Sequence, residues 1–189
     1  MFGSSMKGAT GIHLADGALH IVELAHGKSG TVLQRVLRLA VGDACRLIDL
    51  TEADRRAEVV EALRRARRDF GVRFQRPFFA LDGQSVFLKR RPVVSGNQSE
   101  TRDLLRWEAE QFLADELDEY AVDYLLTRRH GFIVAARRSA VALAAAVLEE
   151  ADIAKPGFDI IPFSLCNAVE LGGSLSDRGV AVLVHLGAE

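Results

Sequence analysis

Few residues of this chain combine a type and a spacing that could do chemistry. Cys45 and Cys166 stand far apart and match neither a zinc-binding nor a redox spacing. No His–Asp arrangement accompanies either thiol, so both read as small packing residues. His26 and His130 fall in turns and need no role. Arg55, Arg56, Arg64, Arg65, Arg67 and Arg68 crowd one stretch in a pattern that could neutralise phosphates. Acidic residues interleave them and the net charge is −2, so they read as a solvated helix face, and no nucleic-acid partner is expected. Trp107 reads as a packing residue.

The background suits a globular protein. Hydrophobic residues make up 49% of the 189 positions and charged ones 26%, enough apolar matter for a real core. Two lone thiols fit a reducing compartment, which predicts a cytoplasmic chain. The N-terminal run MFGSSMKGATG has no basic patch followed by an apolar stretch, so no signal peptide is expected. The longest apolar-rich stretch, 139–148, is too short to span a bilayer.

The elements that must position any site follow from periodicity. Residues 11–14, 18–25 and 31–39 read as strands separated by turns at Asp16-Gly17 and 27–30, which suggests an antiparallel meander. Val32, Arg35 and Arg38 break the alternation of the third strand. Thr51-Glu52-Ala53-Asp54 reads as a capping box for a helix carrying Val59, Val60, Leu63, Ala66 and Phe70, stopped by Gly71. Residues 77–81 read as a buried strand. Then come a strand at 85–94, a helix capped by Ser99, strands at 120–127 and 131–136, and an apolar helix from Ser139 to about Ile153. A strand at 158–161, a helix at 163–171 and a last strand at 180–186 complete the chain, whose end reads as cut rather than finished.

Four segments resemble the PilM family of type IV pilus assembly proteins, relatives of the cell-division protein FtsA. Gly11–Leu24 (GIHLADGALHIVEL) resembles the family's opening hairpin, and Leu105–Leu113 (LRWEAEQFL) its Trp-Glu-Ala-Glu-Gln helix, the most specific of the four. Phe132–Arg138 (FIVAARR) and Phe158–Leu171 (FDIIPFSLCNAVEL) resemble its strand-to-helix turn and the close of its first half. The resemblance implies an α/β, actin-like (ribonuclease H-like) fold: subdomain 1A from residues 1–84 and 156–178, an α+β 1C-type insert from 85–155, and the first strand of a truncated second half at 180–189.

In that family two hairpins cradle ATP phosphates and Mg. The resemblance places Gly11, His13, Ala15, Asp16, Gly17 and His20 on the first hairpin, and His185 and Gly187 on the second. A histidine then stands wherever a metal-holding acid is expected, and Ala15 replaces a glycine. This implies a degenerate nucleotide site, no cofactor in this chain and no enzymatic activity, with a truncated actin-fold ATPase or kinase as the alternative. His13 and His185 facing one another would be the start of a transition-metal site, against the simpler reading of drift at a lost site. The implied function is a scaffold at the cytoplasmic face of the inner membrane. It would bind the cytoplasmic N-terminal segment of a PilN-like protein in a groove lined by Phe78, Phe79, Val86 and Leu88, and could self-associate. An MshI-like or GspL-like platform component would share this logic.

Overall fold

The computed structural model describes residues 7–28, 30–42, 45–92, 98–127, 130–173 and 182–184. The chain divides into two units, Met1–Leu81 with Leu143–Glu189, and Asp82–Ala142.

The larger unit is built on a five-stranded sheet in the order β3-β2-β1-β4-β8. Strands β1 (Lys7–Ala15), β2 (Ala18–Gly27) and β3 (Gly30–Ala40) form the expected meander. The broken alternation of β3 has a physical cause: the β2–β3 register shifts between Glu23 and Leu24, where Glu23 faces Arg35 and Leu24 faces Leu33. The extra residue, Gln34, is a bulge, and beyond it the strand's faces exchange. Strands β4 (Pro77–Leu81) and β8 (Gly157–Ile160) join in parallel.

Helix α1 (Ala53–Phe70) joins the meander to β4 and buries Val59, Val60, Ala62, Leu63 and Ala66. With Ile12, Leu14, Leu19, Ile21, Phe79 and Leu81 these supply much of the unit's buried apolar core. Gly71, at φ 66°, ends the helix in the left-handed conformation that glycine adopts without steric cost. The start differs from the capping box read at Thr51. Thr51 instead closes a short 3₁₀ turn, Leu47–Thr51, by donating its hydroxyl to the Ile48 carbonyl at 3.0 Å. A side-chain cap lies one turn earlier, where the Arg46 N–H donates to the Asp49 carboxylate at 2.8 Å.

The smaller unit holds a three-stranded antiparallel sheet in the order β5-β7-β6: β5 (Val86–Pro92), β7 (His130–Arg137) and β6 (Tyr120–Leu126). Helix α2 (Gln98–Phe112) covers one face, where Leu105, Ala109 and Leu113 meet Tyr120, Ile133 and Ala135. Gly131 permits this approach, since a Cβ there would lie 2.9 Å from the Leu105 Cδ1. Ser99, read as the cap, lies inside the first turn of α2.

Helix α3 (Arg138–Glu150) follows, then β8 and α4 (Ile161–Leu171), with Pro162 in the first turn of α4. The smaller unit, 82–142, ends within α3, where the sequence reading carries the insert from 85 to 155. The reason is the second half of α3: Ala144, Val147 and Leu148 are buried, and α1 grips its end. Arg64 donates to the Glu150 carbonyl at 2.6 Å, Arg67 to the Asp152 carbonyl at 3.0 Å, and Arg56 pairs with the Glu150 carboxylate at 3.3 Å. Part of the arginine row read as a solvated face thus holds a helix terminus, whose carbonyls favour cations. Of the expected strand at 180–186, only Val182–Val184 are described, and they form no strand.

Candidate functional site

Two places gather the residues singled out above. The first is the β1–β2 hairpin. Asp16 at φ 54° and Gly17 at φ 63° make a two-residue turn with both central residues left-handed, the twist that matches flanking strands. That turn sets the register, and Ala15 pairs with Ala18, Leu14 with Leu19 and His13 with His20. Ile12, Leu14, Leu19 and Ile21 are buried, whereas His13 and His20 are half-buried on the opposite face, their ring centroids 6.1 Å apart.

The register across the sheet extends this face. Gly11 pairs with Phe78, Phe78 with Gly157, and Ala80 with Asp159, so all five share it. Asp159 is committed locally: it accepts the Ser164 hydroxyl and the Ile160 N–H, each at 2.8 Å. His185 and Gly187 lie outside the described residues. Within the described hairpin the residue opposite His13 is His20. Among the described residues no three His, Cys, Asp or Glu come close enough to hold a metal ion together.

A hard Mg²⁺ takes oxygen ligands in near-octahedral array, usually carboxylates, phosphates and water. The opposed pair on this hairpin offers imidazole nitrogens. Asp16 is an exposed carboxylate in the turn itself. The donor set of the hairpin does not fit magnesium.

The second place is the face of the small sheet opposite α2. On the α2 side β5 presents Phe87, edge-on to Tyr120 at 5.7 Å, Lys89, 4.4 Å from the Phe112 ring centroid, and Arg91, paired with Glu108. Alternation then places Val86, Leu88 and Arg90 on the other side. Register adds Val134 and Phe132 from β7 and Asp123 and Leu125 from β6. Leu88 is 41% exposed and Leu125 47%, while Val86, Phe132 and Val134 are half-buried.

Of the expected lining residues, Val86 and Leu88 lie together on this face. Phe78 and Phe79 belong to the larger unit and point to opposite faces of their sheet. Phe78 is exposed, but Phe79 is buried and belongs to the core, so its side chain lines no surface. The cysteines stand apart from both places: Cys166 is exposed on α4, and burial, then the nearby Asp49 charge, pushes the Cys45 thiol pKa up.

A mixed sheet of this order, opening with a meander and interrupted after β4 by an α+β insertion, defines an actin-like ATPase fold. Among solved structures the chain is similar to the PilM–PilN type IV pilus biogenesis complex, with a TM-score of 0.71 and 21% identity over 86% of this chain and 50% of that one. It is also similar to the cytoplasmic domain of EpsL, an inner-membrane component of the type II secretion system of Vibrio cholerae. That TM-score is 0.51, at 11% identity over 81% of this chain and 55% of that one. The chain thus spans about half the length of either. No curated protein matches the sequence. Residues 11–188 match the family of the type IV pilus assembly protein PilM, and the chain belongs to that family.

Proposed function

We propose that this chain is a docking platform of a pilus assembly machine, holding a short cytoplasmic segment of a PilN-like inner-membrane protein. The observation that carries this reading is the apolar face of the β5-β7-β6 sheet, where Leu88 and Leu125 stand exposed among Val86, Phe132 and Val134. An apolar face of this kind can receive alternate side chains of an extended peptide, and an edge strand such as β5 offers it backbone partners. Arg90 and Asp123 are exposed charges on the same face and would set peptide direction. The PilM–PilN complex supports the choice of partner.

In this reading the hairpin at His13 does not process nucleotide, and the chain works by binding at the cytoplasmic face of the membrane. Among the described residues no helix is long and apolar enough to cross a bilayer, so attachment would come through the partner. Titration of the 189-residue chain with a synthetic N-terminal PilN-like segment, followed by calorimetry, is the test. Saturable one-to-one heat is expected. No heat from a folded sample overturns the reading, as does Mg–ATP raising Tm.

A further inference from the structure

We infer that the outer face of α2 docks a second protein partner, a basic amphipathic segment whose arginines or lysines flank apolar side chains. Leu105, Ala109 and Leu113 turn toward the small sheet, and the 3.6-residue period puts Leu104 and Trp107 on the opposite pole of the helix. Trp107, read from sequence as a packing residue, is therefore 58% exposed, and Leu104, one turn before it, is 45% exposed. Tryptophan is among the side chains that most often carry interface energy, because its rigid ring covers much apolar area at little entropic cost. The pair lies on the far side of the small sheet from Leu88 and Leu125, so it stands apart from the peptide face.

The charge around the pair selects its occupant. From Gln98 to Glu119 the chain carries eight acidic residues against two basic ones, a net −6 within a chain whose total is −2. Asp103 and Glu110 lie four residues before and three after Trp107, on its own side of the helix, and both are exposed. Arg106 meets Glu110 at 3.8 Å, a solvated pair that a partner's cation can displace. The turn after α2 adds Glu116, Asp118 and Glu119, also exposed. Such a field repels an anionic bilayer or a nucleic acid, and a second copy meeting it face to face would set acid against acid. A basic segment fits: its apolar side chains seat on Leu104 and Trp107, while a guanidinium stacks on the indole and pairs with Asp103.

The test uses the whole chain, with a synthetic peptide of leucine and arginine at helical spacing as probe and its glutamate-for-arginine counterpart as control. Trp107 is the single tryptophan, so its emission reports on this face alone. The basic peptide should shift that emission to the blue and bind at least about tenfold more tightly than the acidic one, with affinity falling as salt rises. Trp107→Ala and Leu104→Ala, followed by anisotropy of the labelled peptide, should each lose about tenfold in affinity with Tm unchanged. Leu88→Asp should bind the basic peptide as the parent does, which separates this face from the PilN-like site. The inference is overturned if the basic peptide does not bind, if the acidic peptide binds equally, or if both alanine variants bind as the parent does. A blue shift on raising the chain concentration alone also overturns it, since the occupant is then a second copy.

Discussion

The ring of Phe78 lies where a side chain at Gly157 would begin. A Cβ built on Gly157 falls 2.5 Å from the Phe78 Cε1, and the two residues are direct neighbours in the parallel β4–β8 ladder. The glycine therefore lets an aromatic ring fold flat over the sheet edge. Gly157→Ala should lower stability by about 1–2 kcal/mol through overpacking. Chemical denaturation of the double variant with Phe78→Ala checks the cause. If the clash is the source, the alanine at 157 should then cost less than about 0.5 kcal/mol; an unchanged cost would place the strain elsewhere.

Glu23 is a buried carboxylate of the larger unit. It meets the Arg35 guanidinium at 3.0 Å and accepts the Arg73 N–H at 2.9 Å, tying the meander to the segment after α1. Glu23→Ala strands that N–H and removes the arginine's partner, for an expected loss of about 2 kcal/mol. Glu23→Gln keeps an acceptor for Arg73 and should lose less. Equal losses in urea melts would mean that only the charge matters.

These contacts show where sequence reasoning stopped. The meander, α1, β4 and the strand–helix–two-strand insertion follow from periodicity and turn chemistry, because neighbouring residues decide them. The Glu23 site joins positions 50 residues apart and leaves no local trace. Thr51 fits the capping pattern, but its hydroxyl is taken by the preceding 3₁₀ turn, a competition between two local bonds that the pattern alone does not rank. Phe78 and Phe79 look alike in a buried-type run, and only strand register shows that one faces outward. The His13–His20 pair was legible in principle. A two-residue turn at Asp16-Gly17 makes paired positions sum to 33, so His13 must oppose His20. The expected facing of His13 and His185 rests on the family pattern, and His185 lies outside the described residues.

Asp49 predicts a pH dependence. The Arg46 backbone N–H, then the Arg46 side chain, hold its carboxyl below the ordinary aspartate range, against a smaller opposing effect of burial. A depressed pKa stabilises the fold above the unfolded value of about 3.9, and the contribution is lost as pH falls through the lower folded value. Asp49→Asn should therefore shallow the fall of stability as pH drops below about 4. Parallel denaturation of both proteins at several pH values checks this, and identical acid limbs would refute it.

The docking face gives the prediction that separates surface from core. Leu88 and Leu125 are exposed on the small sheet, so Leu88→Asp and Leu125→Asp should leave Tm nearly unchanged. Each should weaken the PilN-like peptide by more than about tenfold, or 1.4 kcal/mol, because a carboxylate loses its water when an apolar side chain seats against it. Phe79, although first read as a lining residue, is only 3% exposed. Phe79→Ala should instead cost about 3–5 kcal/mol of stability by leaving a cavity. Its residual folded fraction should bind the peptide with unaltered affinity. Calorimetry beside thermal melts distinguishes the two classes, and full-strength binding by both aspartate variants would move the docking site off this sheet.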